Sequence, residues 1–137
     1  MKNKHVDTNI AFKKKFNFKR FPVHLFDAHI YKSIPLFSEF HFLTKEVFKQ
    51  FVSDNTHIYD LGCSTGKFIK SLSKINKYKN VKFIGIDNAK NMIDFAKKHN
   101  RVKDIQYQNN DIRKVRFKKS NLIICLFTLQ FIKNKKD

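Results

Sequence analysis

The segment 57–66, His-Ile-Tyr-Asp-Leu-Gly-Cys-Ser-Thr-Gly, constrains the fold more than any other part of the chain. A short apolar run passes through Asp60 into a turn that carries Gly62 and Gly66, and a helical pattern follows. Glycine has no Cβ, so the chain can bend sharply there and a ligand can lie against the bare backbone. The segment therefore predicts a strand, a glycine turn and a helix, an arrangement typical of nucleoside-binding sites in α/β proteins.

The rest of the chain continues the alternation of strands and helices. Residues 36–52 place apolar side chains at helical spacing, which predicts one amphipathic helix whose start is favoured by Pro35. Four strands are predicted, at 57–61, 81–86, about 104–108 and 121–127, with helices after the first two. This order predicts an open α/β fold, a parallel sheet with flanking helices. The almost wholly apolar fourth strand is expected to have both of its faces covered by helices.

Length and composition limit the organisation of the chain. Its 137 residues, 42% of them hydrophobic, fit a single domain with one modest core. Residues 1–25 are basic and lack periodicity, so we predict a basic arm followed by one domain over 26–137. The longest apolar run, 122–127, is far shorter than the roughly 18 residues of a membrane span. No apolar stretch follows the N-terminal lysines, so we expect a cytoplasmic protein without a membrane segment.

The net charge of +18 has two explanations. Only four of the 29 basic residues are arginine, and the abundance of Lys, Asn, Ile and Phe is what an AT-rich genome would impose. The alternative is weak binding of a polyanion, such as tRNA, to a basic surface. Cys63 and Cys125 lack the paired spacing of a zinc site or a disulfide framework, so we predict buried thiols and no metal.

Polar residues follow the first three predicted strands, at the edge where parallel sheets bind ligands. They are Gly62, Cys63 and Ser64 after the first strand, Asp87 and Asn88 after the second, and Asp111 with Ile112 after the third. A carboxylate about 25 residues after the first glycine is placed to accept from two ribose hydroxyls. We therefore predict that Asp87 binds ribose, the alternative being that it caps the next helix. Asp111 is predicted to accept from an adenine amine while Ile112 packs on the ring, unless Asp111 is only a solvated turn residue.

Three other glycine motifs fit the segment 62–66 less well. A phosphate-binding loop needs one more residue between the glycines and a hydroxyl after Lys67, where Phe68 stands. A dinucleotide fingerprint needs a glycine at the position of Ser64. The Gly-x-Ser-x-Gly motif of hydrolases matches literally, but its triad needs a later histidine. The only one downstream is His99, which the pattern places near the end of a helix.

Several short segments together resemble one family. They are Tyr-Asp-Leu-Gly-Cys-Ser (59–64), Ile-Asp-Asn (86–88), Asp-Ile-Arg (111–113) and Phe-Thr-Leu-Gln-Phe (127–131), with Phe-Asp (26–27) and Ser-Ile-Pro (33–35) before them. Over about residues 26–132 the chain resembles the carboxy-S-adenosylmethionine synthases, which belong to the class I methyltransferase superfamily. The strand-one turn and Asp87 are general to the superfamily, whereas the last two segments are more particular to the synthases.

The resemblance implies a Rossmann-like fold and S-adenosylmethionine as cofactor. Its amino-acid end would lie along Gly62, Cys63 and Ser64, its ribose at Asp87 and Asn88, and its adenine at Asp111 and Ile112. The resemblance also implies conversion of S-adenosylmethionine and prephenate to carboxy-S-adenosylmethionine and phenylpyruvate, and the product serves modification of the wobble uridine of tRNA. Family members form homodimers, and the residues quoted assign no catalytic side chain.

Three departures from the family leave alternatives open. Phe37 replaces a usual tyrosine and Leu126 a usual asparagine, and each lost hydrogen bond would cost about 0.5–1.5 kcal/mol. Family members also continue for roughly half a domain more, so we expect the N-terminal portion of the fold. Its fourth strand would be an apolar, aggregation-prone sheet edge. The alternatives are a methyltransferase with another acceptor, an inactive fragment, and a basic RNA-binding module.

Overall fold

The computed structural model of the chain describes Phe18 and residues 21–132. Within that part there are four α-helices and four strands. They are α1 (Val23–Ser33), α2 (Phe37–Phe51), β1 (His57–Leu61), α3 (Lys67–Ile75), β2 (Lys82–Asp87), α4 (Lys90–His99), β3 (Ile105–Asn109) and β4 (Ser120–Ile124). Two short 3-10 turns, Ile112–Lys114 and Leu129–Phe131, follow β3 and β4. The predicted helix over 36–52 and all four predicted strands are therefore present, with small shifts at their ends.

The four strands form one parallel sheet in the order β3-β2-β1-β4. Leu61 pairs with Ile86 and Asp87 pairs with Asn109, so the carboxyl ends of β1, β2 and β3 lie level at one edge. The strand order reverses at β1, because the chain crosses from β3 back to the other side of β1. A reversal of this kind opens a crevice at the carboxyl ends. The predicted open α/β fold is confirmed.

The two faces of the sheet are covered differently. Helices α2, α3 and α4 pack on one face, where Phe48, Leu72 and Ile93 join the main core. The other face carries a smaller cluster of β1 and β2 side chains, against which Ile112 and Val115 pack. The expectation that helices cover both faces of the fourth strand is wrong for the residues described. Alternate β4 residues are instead left open, and Ile123 is 45% exposed.

Helix α1 begins inside the stretch that we predicted as a basic arm. It starts at Val23, so the last three residues of that stretch are helical. Phe26, the buried residue of this helix, packs with Ala89 and Met92 at the start of α4, and Phe18 and Phe21 lie against the same cluster. The rest of the predicted arm lies outside the described residues. No helix in the described part of the chain combines the length and apolar character needed to span a bilayer.

Candidate functional site

One cavity, with a volume of about 1260 Å³, lies at the carboxyl ends of the strands. Its floor comes from the turns after β1, β2 and β3, and its other walls include helices α1 and α2 and the segment after β4. All seven residues predicted from the sequence line it: Gly62, Cys63, Ser64, Asp87, Asn88, Asp111 and Ile112. The parallel register explains this convergence, because strand ends at one edge bring residues that are distant in sequence together.

The turn after β1 is held against β2 by the backbone. The amides of Gly62 and Cys63 both donate to the carbonyl oxygen of Ile86, at 2.7 and 3.0 Å. Gly62 and Gly66 have φ values of +83° and +74°, in the left-handed region that glycine adopts without strain. The sharp bend predicted for the two glycines is confirmed.

The space that these glycines leave empty is filled by protein, which corrects our prediction that a ligand would occupy it. A Cβ on Gly62 would lie 2.1 Å from Oγ1 of Thr128, and one on Gly66 would lie 2.5 Å from Cε1 of Tyr107. The missing side chains therefore permit packing of the segment after β4 and of β3 against the turn. Thr128, which lies beside Gly62, also lines the cavity.

Asp87 joins the end of β2 to the turn after β1. Its Oδ2 accepts from the amide of Ser64 at 3.0 Å, and its Oδ1 accepts from the amide of Ala89 at 2.8 Å. Burial raises the pKa of Asp87, and these backbone hydrogen bonds oppose part of that rise. The alternative role as a helix cap is thus partly present, since Ala89 directly precedes α4. The same carboxylate nevertheless lines the cavity beside Ser64.

Asp60 is a cavity residue that our sequence analysis did not select. It is the last but one residue of β1, it is 5% exposed, and it lines the cavity. Burial and, to a smaller extent, the neighbouring charge of Asp87 together raise its pKa to about 7. Two neighbouring carboxylates in one cavity disfavour each other's ionised form, so the site favours a cationic ligand. The available signal was a charged residue inside an otherwise apolar strand.

The residues after β3 form a more exposed part of the rim. The Asp111 carboxylate accepts from Nε of Arg113 at 3.0 and 3.1 Å and from its Nη2 at 2.5 Å. These contacts, together with the Arg113 amide, hold the pKa of Asp111 well below its usual range. Ile112 packs on the smaller apolar cluster while also lining the cavity. Asn88, at the end of β2, completes this side of the rim.

Helices α1 and α2 contribute a wall that the sequence patterns did not indicate. Asp27 of α1 accepts a hydrogen bond from the buried Thr65 hydroxyl at 2.7 Å, which ties α1 to the first turn. The His41 ring lies against Phe37 and Phe68, with both centroid distances 4.1 Å. Burial, together with the charge of Lys45, lowers the pKa of His41 to about 4, so this ring is neutral near pH 7. The Asp27–Thr65 and His41–Phe68 contacts join elements that are distant in sequence, so the periodicity of the chain does not reveal them.

The fold and the site are those of a ligand-binding α/β domain, and comparison with known families identifies which one. The family profile described as "Methyltransferase domain" matches residues 58–137, more than half of the chain. The chain belongs to this family of methyltransferase domains.

Individual relatives of the chain carry a more particular name. A carboxy-S-adenosyl-L-methionine synthase from Staphylococcus epidermidis is 36% identical over 107 residues, which are 78% of this chain and 46% of that protein. A synthase of the same name from Nautilia profundicola is 35% identical over 127 residues, 91% of this chain and 53% of that protein. The chain therefore spans about half the length of the curated relatives that it matches.

A solved structure shows the same fold. It is a protein from Methanococcus maripaludis, designated a candidate S-adenosyl-L-methionine-dependent methyltransferase, with a TM-score of 0.66 and 21% sequence identity. The superposition covers 90% of this chain and 57% of that protein. This likeness confirms the predicted Rossmann-like methyltransferase architecture, of which the chain again covers a part.

Proposed function

We propose that the cavity binds S-adenosylmethionine and that the chain forms part of a carboxy-S-adenosyl-L-methionine synthase. The observation that carries the proposal is the Ser64 amide to Asp87 carboxylate hydrogen bond, 3.0 Å, in the cavity wall. It puts the backbone turn and the acidic end of β2 within reach of one nucleoside. The names of the relatives support the choice of cofactor and of reaction.

The residues present fit a cofactor that carries a sulfonium cation. Asp60 and Asp87 are carboxylates whose pKa values burial raises, and both line the cavity. A positive ligand would relieve the unfavourable ionisation of the two groups. Gly62, Cys63 and Ser64 would bind the amino-acid end, Asp87 and Asn88 the ribose, and Asp111 and Ile112 the adenine. When bound, the cofactor supplies the methyl carbon that receives a carboxyl group.

The substrate and product of this reaction are also proposals for the whole protein. Prephenate would transfer its ring carboxyl group to the methyl carbon and leave as phenylpyruvate, while its ring hydroxyl and the proton lost from the methyl group would leave as water. The carboxylated cofactor would serve modification of the wobble uridine in tRNA. The wall of α1 and α2 would orient this substrate, since Phe37, His41 and Lys45 combine aromatic surface with a positive charge at the cavity. Holding two opposite charges together in a site with little water is a large part of what such a site can contribute.

Binding of S-adenosylmethionine to Asp87→Asn by calorimetric titration tests the cofactor assignment. Losing a charged acceptor for ribose should weaken binding about ten- to one-hundred-fold. Asp94→Asn is the matched control, because it removes an exposed carboxylate that is paired with Lys90 on α4, and it should bind as the natural chain does. Equal affinities for the natural chain and Asp87→Asn would exclude Asp87 from the site.

A plain methyltransferase is a second candidate, and Phe37 and Leu126 favour it. Both line the cavity, and both put apolar groups where the synthases usually carry a hydroxyl and an amide. Incubation with S-adenosylmethionine and prephenate, followed by mass spectrometry of the cofactor, separates the two reactions. A carboxylated cofactor supports the synthase. Cofactor binding without carboxylation, also after fusion to the second half of a synthase, supports the methyltransferase.

RNA binding is a third candidate, favoured by a basic cleft of about 440 Å³ away from the cofactor cavity. It lies over β2 and β3, and its lining includes Lys103, Arg116 and Lys118. A cleft of this charge binds phosphates in a salt-dependent manner. RNA binding that falls steeply with added salt, in a chain without measurable cofactor binding, would favour this function over the first two.

A further inference from the structure

The loops at the amino ends of β2 and β3 form a basic surface. Residues 62–86, which include α3 and most of β2, contain six lysines and no acidic residue. The loop before β2, the start of β2 and the loop before β3 together carry six exposed residues that we call the amino-end patch. They are Lys77, Tyr78, Lys79, Lys82, Arg101 and Lys103. Lys82 and Lys103 also line the basic cleft over β2 and β3, so the patch continues into that cleft.

The cations of the patch outnumber the carboxylates around it. Nine carboxylic acids lie in the described part of the chain, and four of them line the cavity. At the amino ends, Asp54 accepts from the amide of Lys79 at 2.8 Å, and Asp104 pairs with Lys82 at 3.1 Å. Five cations against these two carboxylates leave a local excess of three positive charges. A lysine-rich composition alone would not separate acidic and basic residues in this way.

Tyr78 is an exposed aromatic residue between two of these lysines, and its backbone is held by hydrogen bonds. It is 43% exposed. Nδ2 of Asn76 donates to the Tyr78 carbonyl oxygen at 3.0 Å, and the Tyr78 amide donates to Oδ1 of Asn76 at 3.2 Å. The amide of Asn55, in the loop before β1, donates to the Lys79 carbonyl oxygen at 3.0 Å. A loop held in this way loses less backbone entropy when its side chains bind a partner.

The patch lies at the opposite end of the strands from the cavity. Lys82 is the first residue of β2, and Asp87, which lines the cavity, is the last. Five steps along a strand span roughly 16 Å. The patch is also on the β2–β3 side of the sheet, whereas β4 pairs on the other side of β1. A ligand on the patch would therefore leave the cavity free.

We propose that the amino-end patch binds a single-stranded nucleic acid, with its cations on the phosphates and the Tyr78 ring stacked on one base. Excess cations neutralise backbone phosphates, and an aromatic ring among them stacks on any base, because every base has a π-face. A duplex offers the same phosphates but hides its base faces. The inference goes beyond the RNA-binding candidate, because it names the form of the strand and the stacking residue. It does not depend on the cofactor assignment.

The role of charge is tested by fluorescence anisotropy of a labelled single-stranded RNA of about twelve nucleotides, titrated with the 137-residue chain. Lys77→Gln combined with Lys79→Gln should weaken binding about ten-fold at low salt. It should also reduce the slope of log affinity against log salt by about 1.4, since each phosphate contact on a single strand contributes about 0.7.

Lys49→Gln combined with Lys90→Gln is the matched control, because it removes two exposed lysines from α2 and α4. This pair should weaken binding less than about two-fold. Equal losses for the two pairs would mean that the RNA responds to net charge alone, and the proposal would be overturned.

The role of stacking is tested at Tyr78 with the same RNA. Tyr78→Ala should weaken binding about five-fold or more, whereas Tyr78→Phe keeps a ring and should bind within about two-fold of the natural chain. Phe51→Ala is the control, because it removes another exposed ring at the end of α2, and it should leave the affinity unchanged. A duplex RNA of the same length should bind more weakly than the single strand. Natural affinity in Tyr78→Ala, or a duplex that binds as well as the single strand, would overturn the proposal.

Three further measurements identify the ligand and separate this proposal from the cofactor assignment. Single-stranded DNA that binds more weakly than RNA assigns RNA as the ligand, and equal affinities assign single strands of both kinds. Vesicles of anionic lipid that displace the RNA would overturn the proposal in favour of a membrane surface. Added S-adenosylmethionine should leave RNA affinity unchanged, and competition between the two would place the RNA in the cavity and overturn the proposal. RNA binding at the patch in a chain that does not bind S-adenosylmethionine would contradict the cofactor assignment alone.

Discussion

The cavity has an inner end and an outer end that carry the same chemical group in opposite environments. Asp60 and Asp87, at the ends of β1 and β2, are largely buried, and burial raises their pKa values. Asp111, two residues beyond β3, is only partly buried, and Arg113 lowers its pKa. Ionisation of the two inner carboxylates is unfavourable, and a bound cation would stabilise their ionised forms. The outer carboxylate, Asp111, is already paired with the Arg113 cation. The comparison predicts that ligand charge is recognised at the inner end.

The largest expected effect comes from removing the inner charge by Asp60→Asn. The pKa of Asp60 is raised in the folded state. Its contribution to the free energy of unfolding is therefore fully present below about pH 4 and is lost as the pH rises through about 7. The variant should therefore be more stable than the natural chain at pH 8, by on the order of 2 kcal/mol. Urea unfolding at pH 8 and pH 4 measures this, and the gain should disappear at pH 4.

Asp104→Asn is the matched control for stability, because Asp104 is exposed and paired with Lys82. It should change the free energy of unfolding by less than about 1 kcal/mol at either pH. A loss of stability for Asp60→Asn at pH 8 would mean that the buried carboxylate has a favourable partner. The inner and outer ends of the cavity would then not differ in the way proposed.

A smaller effect is expected on the pH dependence of S-adenosylmethionine binding. A cationic ligand needs ionised Asp60, so affinity should fall about ten-fold between pH 8 and pH 6 as a group with a pKa near 7 takes up its proton. Titrations at several pH values measure the profile. Asp111→Asn should keep it, since the lowered pKa of Asp111 leaves that group ionised throughout the range. A profile unchanged by Asp60→Asn would assign the titration to another group.

The smallest effect is expected at the outer end itself. Asp111→Asn should reduce affinity for S-adenosylmethionine by less than about three-fold, because its carboxylate is already paired with Arg113 and is partly exposed to water. Arg113→Gln should raise the affinity by a similar factor if Asp111 accepts from adenine. Competition titrations with the two variants measure both changes. A loss of affinity above ten-fold for Asp111→Asn would mean that the outer end recognises the ligand as strongly as the inner end does.

The sequence was sufficient for the elements whose pattern is local. Strand β1 was predicted at its observed bounds, since a short apolar run between Asn55 and Gly62 leaves little choice. Helix α2 was predicted to within a residue at each end because its apolar spacing is regular. Helix α1 was missed, since Pro22 precedes it without a side-chain cap and Phe26 is its only buried residue. β4 was predicted too long, since its pairing with β1 stops at Ile124 and Phe127 turns to a φ of +54°.

The location of the candidate site residues was predictable from the sequence, but the burial and the contacts of their side chains were less so. Parallel strands place Asp87 and Asp111 at one edge whatever surrounds them. The raised pKa of Asp60 depends on burial by other elements, and the position of His41 between Phe37 and Phe68 depends on how two helices pack. Neither is encoded in spacing along the chain. The pairing of Asp111 with Arg113 could have been predicted from the sequence, because the two residues are two positions apart.

The turn after β1 is packed by Thr128, a residue that is synthesised much later than the turn itself. Its hydroxyl donates to the carbonyl oxygen of Leu61 at 3.0 Å across 67 residues, and its side chain fills the space beside Gly62. On the ribosome, β1 and its turn emerge long before the threonine that packs against them. The turn gains this contact only after β4 has been made, so the nascent chain completes this bend late.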